Sequence, residues 1–232
     1  MNFSQRSYQK ELMDEPNLSP TAFHENLREI VAINKFLGGA NVTWKGIKRL
    51  DDCSPICLTD VGAGAGDVFD YIDQRLSLQD KKRVRFQALD IQPEAEQYSH
   101  KAFPHLKDRI HWIIDDYKEV LANPGATDIV LASLFCHHLN DDELVDFLQR
   151  SIRHARKGVV INDLHRHPFA YYSIKLLTRW FSKSEFTKHD APLSVRRGFT
   201  RREWQKHLAA AGISNYHISW QWAFRHLIII TK

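Results

Sequence analysis

At 232 residues, with 43% hydrophobic and 26% charged side chains, the chain has room for one α/β domain with additions, and its composition is neither that of a disordered chain nor that of a membrane protein. No apolar run approaches the roughly 18 residues of a spanning helix, and Met1 to Glu15 mixes charged and polar residues without an apolar signal core, which points to the cytoplasm. The formal charge is +4, yet from Asp163 to Lys232 twelve Lys/Arg stand against four Asp/Glu, a basic third that reads as a solvated face, with an acidic ligand or an anionic lipid surface as alternatives.

Met1 to Asn17 carries no clear period. Ser19-Pro20 reads as an N-cap followed by proline at the first helical position, and Phe23, Leu27, Ile30, Val31, Asn34 and Leu37 recur at helical spacing until Gly38-Gly39. A short helix follows over Val42 to Leu50. Three cysteines, Cys53, Cys57 and Cys136, suit reduced thiols better than a disulfide framework, a Cys53/Cys57 metal pair being the lesser alternative.

Ile56 to Val61 is the first strand, and alternation then sets in: a helix over Asp67 to Leu76, a strand over Val84 to Leu89 ending at Asp90, a helix over Pro93 to Ala102, and a strand over Ile110 to Ile114 ending at Asp115-Asp116. Asp128 to Ala132 is a strand ending at Ser133, Asp141 to Ala155 a helix with acids in its first turn, and Val159 to Asn162 the fifth strand. Strands separated by helical patterns of this length give a parallel sheet with helices on both faces. Beyond His165 the pattern changes. Pro168 to Phe181 is apolar or aromatic at most positions with a narrow polar stripe, Ser182 to Gly198 is polar and basic and reads as partly mobile, Thr200 to Ala211 is a helix, and Tyr216 to Trp220 with Arg225 to Thr231 closes the chain as a pair of strands.

The chemistry concentrates in Asp60-Val61-Gly62-Ala63-Gly64-Ala65-Gly66-Asp67, where three alternate glycines join the first strand to a helix. A strand, a glycine turn and a helix N-terminus form a nucleotide-binding corner. A dinucleotide fingerprint needs glycine where Asp67 stands. A carboxylate there repels a pyrophosphate and attracts a cation, although a capping role for Asp67 is an equal alternative.

The stretch Leu58 to Gly66 resembles motif I of the class I S-adenosylmethionine-dependent methyltransferases, and the resemblance continues in order over residues 56 to 164. It implies that Asp90, followed by Ile91, holds ribose hydroxyls, and that Asp116, with Asp115 beside it, meets the adenine. Ser133, Leu134 and the following Phe135-Cys136-His137-His138-Leu139 look like the motif after strand four. Asp60, Gly62, Ala63, Gly64 and Asp67 then surround a ligand whose ammonium and sulfonium groups suit acidic walls. The implied fold is a Rossmann-like seven-stranded, mostly parallel sheet with an antiparallel last strand and helices on both faces. It divides into an N-terminal helical extension over 1–50 and a methyltransferase domain over 51–232, with a helical insertion after strand five, at about 165–199, acting as a substrate lid.

A more particular likeness is to bacterial O-methyltransferases acting on phenolic polyketides or quinones. It rests on Glu11-Leu12-Met13-Asp14, Ile33-Asn34-Lys35-Phe36-Leu37-Gly38-Gly39 and Ile161-Asn162-Asp163-Leu164-His165-Arg166. It implies methyl transfer to a hydroxyl of a hydrophobic aromatic or polyketide-like small molecule in secondary metabolism. His138, ahead of His137, is the candidate base, and Arg166 the candidate to orient the acceptor oxygen, unless it only pairs with Asp163. A His165-x-His167 metal site lacks an acidic third ligand, so no metal is expected. The aromatic helix serves as lid, core or dimer contact. Two other readings remain: an RNA or protein acceptor, for which no Asn-Pro-Pro-Tyr-like motif follows strand four, and a nicotinamide-dependent oxidoreductase, against which Asp67 speaks.

Overall fold

Successive side chains of a strand point to opposite sides of its sheet, so an unbroken apolar run between helices supplies two cores at once. The computed structural model describes residues 2–14, 18–124 and 127–232, and in it every expected strand forms. These are β1 (Ile56–Val61), β2 (Val84–Asp90), β3 (Ile110–Ile114), β4 (Thr127–Ser133), β5 (Ala155–Leu164), β6 (Tyr216–Gln221) and β7 (Arg225–Thr231). They make one seven-stranded sheet in the order β3-β2-β1-β4-β5-β7-β6. β1 to β5 are parallel to their neighbours, while β7 runs antiparallel to β5 on one side and β6 on the other. The order reverses between β1 and β4, the switch point at whose carboxyl edge open α/β sheets take their ligands.

Ten α-helices surround the sheet among the described residues: α1 (Pro20–Phe36), α2 (Gly39–Leu50), α3 (Asp67–Asp73), α4 (Leu78–Arg83), α5 (Pro93–Ala102), α6 (Tyr117–Val120), α7 (Asp141–His154), α8 (Pro168–Phe181), α9 (Glu185–Arg197) and α10 (Arg201–Ala210). On one face, Val130, Ala132, Val159, Ile161, Ile228 and Ile230 pack against Leu144, Phe147 and Leu148 of α7 and Trp204 and Leu208 of α10. On the other, Ile129, Leu131, Val160, Leu227 and Ile229 pack against Val42 and Ile47 of α2 and Val68, Phe69 and Ile72 of α3. Each such side chain contributes about 1.5–3 kcal/mol by leaving water.

The caps follow the sequence signals. Ser19 accepts from the Ala22 N–H, and Asn140 with Glu143 and Thr200 with Glu203 form reciprocal capping boxes at α7 and α10. Several boundaries differ from expectation. α2 begins at Gly39, because Gly38 turns the chain with φ at 71° and lets the helix start at once. α3 stops at Asp73, α4 forms in the stretch before β2 to which the sequence pattern assigns no element, with Ser77 as its cap, and β5 extends at both ends.

The segment expected to be polar and partly mobile, Ser182 to Gly198, is instead largely the helix α9. Thr187, Asp190 and Arg197 on its inner side are buried rather than solvated: the Thr187 hydroxyl donates to Asn26 Oδ1 at 2.8 Å, and Asp190 accepts the Leu12 and Met13 N–H groups at 2.9 and 3.0 Å. A helix whose inner face is polar shows no apolar period, which is why the sequence hides it.

Gly158 lies in β5, where a Cβ would stand 2.1 Å from the Ile230 carbonyl oxygen of β7. Gly158→Ala is therefore expected to lower stability to chemical denaturation by about 1–3 kcal/mol or more through forced displacement of a strand. A surface cap change such as Asn140→Ala should cost only about 1 kcal/mol in the same assay.

Candidate active site

The glycine turn after β1 is fastened to the end of β2. The Gly62 and Ala63 N–H groups donate to the Leu89 carbonyl at 2.9 and 3.1 Å, and the Gly64 N–H donates to Asp90 Oδ2 at 2.8 Å. Gly64 has φ of 52°, and the atom nearest to a Cβ there would be Leu27 Cδ2 at 3.7 Å, so the backbone at this point faces open space. That space is a cavity of about 640 Å³ at the carboxyl edge of the sheet.

Every residue expected at the cofactor lines it: Asp60, Gly62, Ala63, Gly64, Asp67, Asp90, Ile91, Asp115, Asp116, Ser133 and Leu134. Asp60 is buried, and its Oδ1 has no hydrogen-bond partner among the described residues. Asp67 accepts from Asn34 Nδ2 at 2.6 Å, and Asp90 Oδ1 accepts the Gln92 N–H at 3.0 Å. Burial pushes the proton affinity of all three acids up, and for Asp60 the neighbouring Asp67 and Asp90 push it further. A cation brought among them relieves both causes. At the end of β3, Asp116 accepts the Lys118 N–H at 2.9 Å and Asp115 accepts the Asp116 N–H at 2.8 Å. Leu134, just past β4, is held at φ of 56° with its N–H on the Asn162 carbonyl, a backbone conformation that costs a branched residue on the order of 1 kcal/mol.

The two histidines have different holds. His137 is buried; its ring Nδ1 lies 2.8 Å from Asp163 Oδ1 and its backbone N–H donates to Asp163 Oδ2 at 3.0 Å. Its Nε2 is 3.7 Å from Glu11 Oε1. His138 is partly open to the cavity, with Nδ1 3.2 Å from Asp14 Oδ2. Burial resists charging its ring, but Glu11 and Asp14 outweigh burial and raise its proton affinity above that of an ordinary histidine.

Glu11 and Asp14 belong to an N-terminal strap drawn across the site. Arg6 donates to the carbonyls of His137 and Leu139 at 2.7 and 2.6 Å. Arg197 of α9 donates to the carbonyls of His137, His138 and Gln9 at 3.0, 2.8 and 2.8 Å, and Ser194 donates to Glu11 Oε1 at 2.8 Å. The sequence singles out Glu11-Leu12-Met13-Asp14 as a motif, but nothing in it shows what those acids touch. Arg225 is missed altogether. It lines the cavity fully buried, donates Nη2 to Asn34 Oδ1 at 3.1 Å, leaves Nε and Nη1 without a partner among the described residues, and is brought down to about 10 by burial.

Arg166 requires correction. It does not line the cavity; its guanidinium donates to the carbonyls of Phe3 and Gly198 at 2.9 and 2.7 Å and to Glu203 Oε1 at 2.6 Å, so it pins the N-terminus and α10 to the end of β5. Its expected partner Asp163 is taken by His137. His165 and His167 also lie outside the lining, their rings 5.6 Å apart. The described residues whose donor atoms come together are instead Glu11, His137 and His138, within 4.8 Å, three ligand atoms beside which Arg197 Nε already stands 3.9 Å from Glu11 Oε1.

Residues 58–158, from β1 into β5, match a family described as "Methyltransferase domain". Over that stretch, short of half of its 232 residues, the chain is similar to a methyltransferase domain. The match speaks for the methyltransferase reading over the nicotinamide one. Among solved structures, the chain is similar to a SAM-dependent methyltransferase from Aquifex aeolicus (TM-score 0.64, 15% identity, 92% of this chain and 98% of that one). It is similar too to the plantazolicin methyltransferase BpumL in complex with SAH (TM-score 0.66, 14% identity, 92% and 89%). Human N-acetylserotonin methyltransferase in complex with SAM aligns at TM-score 0.62 and 17% identity over 92% of this chain, which spans 56% of that longer one. Identities this low report a shared fold. No curated protein matches the chain in sequence.

Because Arg166 is spent on structure, Arg166→Met is expected to lower unfolding free energy by about 3 kcal/mol, leaving Glu203 Oε1 and two carbonyls without their donor. Cosubstrate affinity, measured by calorimetry on the folded protein, should be unchanged.

Proposed function

We propose that this protein transfers the methyl group of S-adenosylmethionine to a hydroxyl of a hydrophobic aromatic or polyketide-like small molecule. The observation that carries the reading is one cavity lined both by buried acids around a glycine turn and by a histidine held by a carboxylate, together with apolar side chains such as Ile30, Ile33, Leu37 and Leu177. The orphaned Asp60 Oδ1 and the three acids made reluctant to ionise by burial fit a ligand that brings positive charge. When bound, the cosubstrate supplies an activated methyl group.

The chain's own residues do the rest. Asp60 and Asp67 balance the cationic groups, Asp90 takes the ribose hydroxyls, Asp115, Asp116 and Ile91 border the adenine, and Gly62, Ala63, Gly64, Ser133 and Leu134 let the ligand lie on main chain. Arg225, with two unused donors, takes a carboxylate. His138 accepts the proton from the acceptor hydroxyl at Nε2, since Asp14 occupies Nδ1 and, with Glu11, strengthens the base. His137, locked by Asp163, is a positioning residue that fixes the turn carrying His138.

A recessed cavity walled by α1, α8, α9 and the strap suits a small acceptor better than RNA or a protein chain. The free thiols Cys53, Cys57 and Cys136 agree with a reducing, cytoplasmic setting, and the acceptor chemistry with secondary metabolism. α8 and α9, within the insertion at 165–199, form the lid side of the cavity.

Calorimetry should show S-adenosylmethionine binding to the wild type and at least about tenfold weaker binding to Asp90→Ala, about 1.4 kcal/mol. Undiminished affinity in that variant would refute the assignment. With a phenolic acceptor, kcat/KM should rise with pH as His138 loses its proton, and the midpoint should lie above the ordinary histidine value of about 6.5. Asp14→Asn removes a charge that retains that proton, so it should move the midpoint down; a midpoint indifferent to Asp14 would take the base role from His138.

A further inference from the structure

Helix α8 is sided in an unusual way. Ala170, Tyr171 and Thr178 are buried, and Ala170, Ser173, Ile174 and Leu177 line the cavity. The remaining side carries Phe169, Tyr172, Leu176 and Trp180, at successive spacings of three, four and four residues, so they form one stripe along the helix. All four are in water, from 56% exposed at Tyr172 to 75% at Trp180, and Phe181 at the helix end is 81% exposed. A run of exposed aromatics exceeds what a monomeric surface carries without use. Phe36 at the end of α1 and Trp222 in the turn between β6 and β7 are exposed to a similar degree, and Leu37 and Trp222 both line the cavity. The apolar surface is therefore continuous with the wall of the cavity.

The free charges on and flanking this stripe are basic, the nearby acid Glu185 being paired with Lys188. Lys175 and Arg179 lie on α8, which contains no acid, Lys183 follows it, and Lys35 precedes Phe36. All four are exposed, and none makes an ion pair among the described residues. The nearby Glu29 is engaged by the Ser182 hydroxyl and by the Lys183 and Ser184 N–H groups. A two-fold dimer through this face would set these cations against their own copies. Aromatic rings flanked by lysine and arginine match instead the boundary of a lipid bilayer, where the rings sit at headgroup depth and the cations meet anionic headgroups.

We propose that this face docks the protein on the surface of an anionic phospholipid bilayer, with Phe169, Leu176, Trp180 and Phe181 entering the headgroup layer. The docking stands without any assumption about the reaction. Its consequence for the acceptor, that it reaches the cavity from the lipid and belongs to the bilayer-partitioning aromatics, rests on the methyl-transfer reading above.

The test is co-sedimentation of the full chain with phosphatidylcholine vesicles, with and without phosphatidylglycerol. Binding to the anionic vesicles should exceed binding to the neutral ones by at least about tenfold and weaken in high salt. Trp180→Ser with Phe169→Ser should lose about tenfold of the binding, and Lys175→Glu with Arg179→Glu should remove the preference for anionic lipid. Calorimetric binding of S-adenosylmethionine by these variants, none of them at a cavity-lining position, reports that they are folded and keeps a failure of docking separate from a failure of the methyltransferase reading. Absence of vesicle binding by the wild type, variants that bind as the wild type does, or a stable dimer in light scattering that the Trp180 and Phe169 changes dissolve would each overturn the proposal, the last in favour of a second copy on this face.

Discussion

Asp163, fully buried at the end of β5, is the interaction on which the site depends. Burial alone would favour its neutral form, but His137 beside it and the N–H groups of His137 and Leu164 hold it well on the ionised side. By taking both the ring and the backbone of His137, it fixes the turn after β4 in a single conformation. The carbonyls of that turn then serve as the landing point for Arg6 and Arg197, so the N-terminal strap and α9 are both positioned by a carboxylate whose hydrogen bonds, among the described residues, come from His137 and Leu164. Removing one partner of a buried charged pair is costly because the other is left uncompensated, and here three chain segments converge on it.

The acids around the glycine turn are arranged on the reverse principle. Around His137 the charges are matched within the protein, whereas Asp60, Asp67 and Asp90, each buried, gather acid near acid at the wall of the cavity. Such an arrangement destabilises the empty fold and favours whatever ligand supplies the missing charge, since binding energy is available wherever folding left an interaction unmade. Arg225 makes the contrast sharper. It is a buried cation linked to Asp67 only through Asn34, close enough to polarise the site yet not neutralising it.

Much of this was readable from the sequence because the information is local. The glycine turn, the acids ending β2 and β3 and the two histidines after β4 each lie within a few residues of a strand end, and a parallel sheet brings strand ends together whatever else happens. Long-range pairings were not readable. Arg225 and Asn34 are 191 positions apart, and Glu11 and Ser194 are 183 apart. The polar face of α9 looks like a solvated segment until the strap that covers it is in place. Arg166 sits beside site residues in sequence and still points elsewhere, because the bend after β5 turns it to Phe3, Gly198 and Glu203.

The strap also bears on how the protein is made. Residues 6 to 14 leave the ribosome long before their partners Asp190, Ser194 and Arg197, and β7, which carries Arg225, must slot between β5 and β6 after both of those strands exist. Contacts of such sequence separation form late and slowly. A nascent chain can thus assemble β1 to β5 and their acids while its binding chamber still lacks one wall, and a ligand meets a closed site only once β7 has been made.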